Sequence, residues 1–280
     1  MQHSTDTITT PDGLALFAQA WEPDSAPRGV VLLVHGIAEH GGRYRHVAAY
    51  LVERGYTVCV VDHRGHGQSG GERIFIRHFD QYVDDLRLYF ERVRAAHPDA
   101  PLFLYGHSMG SIIALLFALR YQDDLTGLIV TGTALDLPIK LPPVMMRAAG
   151  WFGKVAPRAA VIPAIDLTGL SRDPQVGADY RADPLVTVGR LLLGWSLAME
   201  RAVREATARL PELRLPILAL HGGDDPITLP GGAEIVRERA GSDDLTVKVY
   251  PGLRHEIHHE PERAQVLGDI AAWLDAHCSM

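Results

Sequence analysis

Short, almost unbroken apolar runs recur along the chain, with longer stretches of helical periodicity between them. The runs are Val30–Val34, Thr57–Val61, Leu102–Tyr105, Leu128–Val130 and Ile217–Leu220. Successive strand residues point to opposite faces, so a run with no polar alternation predicts a strand covered on both sides. Phe79–His97 has instead the spacing of an amphipathic helix. Strand-helix alternation of this kind predicts an α/β domain with a mostly parallel sheet and right-handed crossovers. The ends of the sheet read differently. Leu14–Trp21 follows a Pro11-Asp12-Gly13 turn, which predicts an N-terminal antiparallel hairpin, and Thr246–Tyr250 alternates polar with apolar, as a half-exposed edge strand does.

One interval breaks the rhythm. From Thr133 to about Leu210 no strand pattern occurs, and Pro, Leu, Ala and Met are abundant. An insertion of this length commonly covers a site. The expected organisation is a core domain of residues 1–132 and 211–280, with residues 133–210 as a helical cap.

Composition narrows the function classes. A formal net charge of −7 argues against a nucleic-acid partner, which would need a basic face. No apolar run reaches the ~20 residues that span a bilayer, and the polar start Met1–Asp6 lacks the layout of a signal peptide. The two cysteines, Cys59 and Cys278, do not make a disulfide framework, so a cytoplasmic location is expected. Cys59 sits inside a strand run and reads as a small buried hydrophobe, not a nucleophile.

Leu102-Phe103-Leu104-Tyr105-Gly106-His107-Ser108-Met109-Gly110 leads from a buried strand through Gly-x-Ser-x-Gly into an apolar helix, Ser111–Tyr121. Chemistry at Ser108 requires that context. A nucleophilic serine sits on a strained strand-to-helix turn with its hydroxyl lifted above the sheet, and the flanking glycines admit crossing backbone. The helix start behind it offers N–H groups to a developing oxyanion.

A serine hydroxyl needs a base, and in such chains an acidic residue and then a histidine follow the serine. Strand Ile217–Leu220 runs into His221-Gly222-Gly223-Asp224-Asp225-Pro226, and strand Thr246–Tyr250 runs into Pro251-Gly252-Leu253-Arg254-His255. Both loops lie beyond strand ends, where open α/β sheets carry their chemistry. Position after Pro-Gly favours His255 over His258 and His259 as base; spacing leaves Asp224 and Asp225 equal as its orienting carboxylate.

Two other matches fail on context. His255-Glu256-Ile257-His258-His259 fits the H-E-x-x-H pattern of zinc proteases. Pro251-Gly252 before it and Pro261 after it, however, leave too little helix to face two histidines together. Gly65-His66-Gly67-Gln68-Ser69-Gly70 fits G-x-G-x-x-G, but Gly71 follows where a dinucleotide site needs a helix to open.

His35-Gly36-Ile37-Ala38-Glu39-His40 with Gly42-Arg43-Tyr44, Asp62-His63-Arg64-Gly65-His66-Gly67-Gln68-Ser69, and Gly106–Gly110 together resemble the monoacylglycerol lipase and lysophospholipase-like family of α/β-hydrolases, over about Val30 to Trp273. The resemblance implies Ser108 as nucleophile, His255 as base and Asp225 as orienter. It also implies an oxyanion hole made by the backbone N–H groups of Ile37 and Met109. Glu39, Arg43 and His258 fall where relatives form a polar headgroup pocket; an ordinary surface ion pair is the alternative for the first two, and loop packing for His258. Ser111 stands where the family's elbow usually has another glycine, and reads as a hydrogen bonder at the helix start.

The implied activity is hydrolysis of monoacylglycerol to fatty acid and glycerol through an acyl-enzyme, with no metal or cofactor. Lysophospholipase, broad carboxylesterase and serine aminopeptidase-like activities are the alternatives, with a catalytically inert binding protein behind them. The small lipid ester is the expected partner. Leu141–Phe152, apolar and poor in charge, is expected either to pack on the main domain or to make transient contact with a membrane surface.

Overall fold

A computed structural model of the chain describes residues 1–138, 143–160 and 163–278, without the side chains of Pro143 and Met146. Leu141 and Pro142 of the apolar cap segment lie outside the described residues.

Eight strands form one sheet in the order β1-β2-β4-β3-β5-β6-β7-β8. The strands are β1 (Gln2–Thr9), β2 (Ala15–Glu22), β3 (Gly29–Val34), β4 (Tyr56–Val61), β5 (Leu102–His107), β6 (Gly127–Thr131), β7 (Ile217–Gly222) and β8 (Leu245–Tyr250). The first two make the antiparallel hairpin, with Thr9 opposite Ala15 and Gly13 turning at φ 83°. β2 joins β4 antiparallel, and every later pairing is parallel. All residues of β3 to β7 are buried, whereas β8 is mostly half-exposed.

Strand pleating sorts the core into two layers. Val30, Leu32, Val34, Leu102 and Leu104 face one cluster, which includes side chains of α2 (Asp80–Ala96), α3 (Met109–Tyr121) and α6 (Leu193–Arg209). Val31, Leu33, Phe103 and Tyr105 face the other, with α1 (Arg45–Val52) and α8 (Arg263–His277). α3 is buried from Met109 to Leu119, having no solvent face between the sheet, α2 and α6.

Among the described residues, the interval after β6 carries the α-helices α4 (Pro143–Val155), α5 (Pro174–Ala182) and α6. α6 touches α4 and also lays Ala198, Met199, Ala202 and Ala206 into the core beside α3. α7 (Gly231–Arg239) packs on β7 and β8 and adds Val236 to the same core layer as α6. The chain leaves β3 for β4 on one side and later returns through β5 on the other, so the strand order reverses at β3. A crevice opens at such a reversal, beyond the strands' C-terminal ends.

Candidate active site

β5 ends at His107, α3 begins at Met109, and Ser108 between them has φ 54°, ψ −123°. A positive φ in a non-glycine residue is a strained turn. The neighbouring glycines are forced. A Cβ on Gly110 would lie 2.0 Å from the Val34 carbonyl oxygen, and one on Gly106 would lie 2.5 Å from that of Gly110. The turn is also tied down, since Ser108 N–H donates to Thr131 O at 3.0 Å. Ser111 Oγ donates to Ser108 O at 2.5 Å and lies 3.0 Å from Thr133 Oγ1, so this hydroxyl steadies the start of α3.

The loop after β3 runs alongside. A Cβ on Gly36 would come within 3.2 Å of Ser108 Cβ, which brings the Gly36–Ile37 backbone against the serine. Ala38 then turns at φ 64°. Met109 is the first residue of α3, where N–H groups have no carbonyl one turn back.

From the far end of the sheet come the carboxylate and the imidazole. Asp224 is exposed, whereas Asp225 is buried. Asp225 Oδ1 accepts from the N–H groups of Ile227 and Thr228 at 2.8 and 3.0 Å, and Oδ2 lies 2.7 Å from His255 Nδ1. Thr228 Oγ1 sits among Asp225 Oδ2, Gly132 O and His255 Nδ1 at 2.9, 3.0 and 3.1 Å. Burial works to depress the pKa of His255, but the charge and hydrogen bond of Asp225 outweigh it and raise the value above the ordinary imidazole range. Burial opposes ionisation of Asp225 as well, yet His255 and His221 hold its pKa far below the usual carboxylate range.

One small pocket gathers these groups. Its walls are Gly36, Ile37 and Glu39 after β3, His107 and Ser108 at the elbow, and His255 and Glu256 from the last loop. Ile165, Leu170 and Tyr180 close it from the segment between β6 and β7. The same segment grips the base loop, because Gly169 O and Leu170 O accept from the N–H groups of His255 and Glu256 at 3.3 and 2.7 Å.

The polar wall is charged and buried. Arg43 donates to both oxygens of Glu256 at 2.6 and 2.7 Å, pairs with Glu39, and stacks its cation 4.7 Å from the centre of the Tyr180 ring. Glu39 Oε1 accepts from Gly36 N–H at 2.6 Å and from Tyr44 Oη at 2.7 Å. Glu39 and Arg43 are therefore no surface ion pair; both side chains are under one-tenth exposed. Burial opposes the charge on each partner, but the opposite charges prevail, so Glu256 stays ionised and Arg43 protonated.

His258 stands apart. It is fully buried, stacked 4.8 Å from Tyr44 and edge-on at 4.8 Å to His107, and it is not among the pocket's lining residues. Sequence reasoning did not single out Glu256, Thr228 or Tyr180. Only Glu256 carried a signal, its place directly after His255.

Residues 25–262 match the family described as serine aminopeptidase, S33. The chain is 38% identical over 265 residues to a monoacylglycerol lipase of Mycolicibacterium smegmatis, covering 95% of this chain and 94% of that one. It is 33% identical over 270 residues to the human monoglyceride lipase, covering 95% and 89%. Among solved structures, a soluble variant of the Saccharomyces cerevisiae monoglyceride lipase with a substrate analog superposes with a TM-score of 0.87 at 25% identity, covering 99% of this chain and 95% of that one. The chain belongs to the serine aminopeptidase, S33, family of α/β-hydrolases and is a serine hydrolase.

Proposed function

We propose that this enzyme hydrolyses monoacylglycerols to a free fatty acid and glycerol, with Ser108 as nucleophile, His255 as general base and Asp225 as the carboxylate that orients it. The observation that carries this reading is the pocket itself. Ser108 and His255 share it with a charged wall, Glu39 and Glu256, and an apolar one, Ile37, Ile165 and Leu170. An ester with a small hydroxylated head and a long apolar tail matches both walls. The relatives named monoacylglycerol and monoglyceride lipases support the same choice.

Asp225 occupies Nδ1 of His255, so Nε2 is the nitrogen that takes the Ser108 proton. Ser108 Oγ then bonds the ester carbon, and the carbonyl electron pair moves onto oxygen. The N–H groups of Ile37 and Met109 stabilise that oxyanion, a role in which one donor is worth ~2.7–4 kcal/mol. Collapse expels the glycerol oxygen, which takes its proton from His255. Water, deprotonated by the same imidazole, attacks the acyl-enzyme; fatty acid leaves and Ser108 Oγ regains its proton. Glu39 accepts hydrogen bonds from the glycerol hydroxyls, with Arg43 holding Glu39 and Glu256 in place. His258 backs this wall from behind Tyr44 and His107.

Residues 133–210 act as the cap, with α6 as the stem that roots it in the core. The pocket beside Ser108 has about 10 Å³ free, too little for an acyl chain, and in this mechanism the cap lifts to admit one. α4 exposes Val144, Met145, Trp151, Phe152 and Val155, and this apolar face makes transient contact with a lipid surface as substrate enters. No helix among the described residues is long and apolar enough to cross a membrane. Two free cysteines fit a reducing cytoplasm.

A substrate panel tests the reading: mono-, di- and triacylglycerol, lysophospholipid and aminoacyl amides, compared by kcat/KM. Monoacylglycerol should lead. A clear preference for lysophospholipid or aminoacyl amide would replace the assignment, and co-sedimentation with vesicles unchanged by Trp151→Ser/Phe152→Ser would remove the lipid-contact role of α4.

A further inference from the structure

The segment that mimics a zinc-protease helix is not one. Residues 255–260 are not α-helical, with a turn only at 257–259, and His255 Nδ1 is engaged by Asp225. Yet three other groups of the same segment converge. A carboxylate oxygen of Glu256 and one ring nitrogen from each of His258 and His259 lie within 4.8 Å of one another. This cluster keeps Glu256 and His259 of the sequence pattern but has His258 in place of His255.

A second, independent observation concerns His258. It is fully buried, and neither ring nitrogen has a hydrogen-bond partner among the described residues. A buried polar atom left unpaired destabilises a fold by about 1–3 kcal/mol, so two on one ring call for a partner from outside the chain. His259 Nδ1 lies 2.8 Å from Glu256 Oε2, which puts two of the three candidate ligand atoms side by side. His46 Nε2 meets the His258 carbonyl oxygen at 2.7 Å, and its ring lies 4.4 Å from that of His259, bracing both. Charge points the same way, because among the described residues the two buried carboxylates Glu39 and Glu256 share one guanidinium, Arg43.

We propose that Glu256, His258 and His259 form a binding site for a borderline divalent metal ion, Zn²⁺ being the reference member. Two imidazole nitrogens and one carboxylate oxygen suit Zn²⁺, Co²⁺, Ni²⁺ or Cu²⁺ and disfavour Ca²⁺ and Mg²⁺, which take oxygen ligands. Zinc bonds of about 2.0–2.1 Å place tetrahedral ligands roughly 3.4 Å apart, so the cluster must tighten. His259, at 18% side-chain exposure, is the ligand with room to swing and the route by which the ion arrives. Water fills the fourth position. The ion is an inhibitor, not a cofactor: it competes for Glu256 Oε2 with Arg43 Nη2, now 2.7 Å away, and so loosens the charged wall of the pocket.

Chelator-treated whole protein is titrated with Zn²⁺ by calorimetry and with Co²⁺ by visible absorption, and hydrolysis of a soluble p-nitrophenyl ester is followed alongside. One ion per chain should bind, Co²⁺ should show the intense bands of a four- or five-coordinate site, and Zn²⁺ should slow turnover. His259→Gln should keep metal-free turnover and bind at least about tenfold more weakly, a loss of ~1.4 kcal/mol, with the inhibition midpoint moving by the same factor. His259→Ala, with its melting temperature measured, guards against a folding artefact. Absence of one-to-one binding to the wild type would overturn the proposal. So would zinc affinity and inhibition that stay unchanged in both variants, since zinc would then act at His255 itself.

Discussion

His255 Nδ1 lies 2.7 Å from Asp225 Oδ2, with both side chains sealed from solvent and Thr228 Oγ1 touching each partner. The contact joins two loops 30 residues apart in sequence, one after β7 and one after β8, whose strands are parallel neighbours. It commits one ring nitrogen and turns the other toward the pocket that Ser108 lines.

A pH profile reads this contact directly. In the proposed mechanism turnover needs neutral His255, whose pKa Asp225 lifts above the ordinary 6.5. kcat/KM should therefore fall with acidification, with a midpoint above that value. Asp225→Asn removes the negative charge that stabilises the imidazolium, so the acidic limb of its residual activity should move to lower pH. A limb that stays in place would mean that another group titrates.

Substitutions separate the adjacent aspartates. Ser108→Ala should abolish ester turnover while leaving the melting temperature near that of the parent. Asp225→Asn should lower kcat by roughly 10⁴-fold, as loss of the orienting carboxylate does in serine proteases. Asp224→Asn, at an exposed position, should leave kcat within about twofold, less than ~0.5 kcal/mol in the barrier. Equal losses at the two positions would contradict the geometry.

Thr228 tests whether the hydroxyl beside the pair matters. Thr228→Val keeps the shape and removes the contacts to Asp225 Oδ2 and Gly132 O. The expectation is a kcat loss of about tenfold, ~1.4 kcal/mol, with KM unchanged. An unaltered kcat would reduce Thr228 to packing.

Arg43 holds two buried carboxylates. Arg43→Met leaves Glu39 and Glu256 without their cation, and unfolding in denaturant should show a loss of about 3–5 kcal/mol. Adding Glu256→Gln removes one of the stranded charges and should recover part of that loss. A double variant less stable than Arg43→Met would refute the pairing.

Two glycines should respond oppositely to alanine. At Gly110 a methyl group would meet backbone at 2.0 Å, so Gly110→Ala should yield inactive, poorly folded protein. At Gly150, inside α4, a Cβ meets nothing within 4 Å, and alanine should stabilise the helix by ~0.5–1 kcal/mol. Thermal melting checks both.

Much of this site is legible in the amino-acid sequence. Gly106-x-Ser108-x-Gly110 announces itself because the turn tolerates few residues, and the strands announce themselves because burial on both faces excludes polar positions. The pairing of Asp225 rather than Asp224 was open from spacing alone and rested on resemblance. Asp225 is the one drawn inward, where Ile227 N–H, Thr228 N–H and the imidazole ring converge on it. His258 shows the opposite outcome, because a position matched to a headgroup pocket turned out to be stacked behind two rings.

The amino-acid sequence by itself determined the periodicities, the strained serine turn and the order of the candidate serine, carboxylate and imidazole, since each depends on neighbours along the chain. Only the tertiary structure decided that Glu256 clasps Arg43, that Thr228 supports the carboxylate and that Leu170 and Tyr180 roof the serine. Those contacts join residues tens to hundreds of positions apart. Which side chains meet there depends on the twist and order of the sheet and on how the described residues between β6 and β7 pack against it, and no local pattern carries that information.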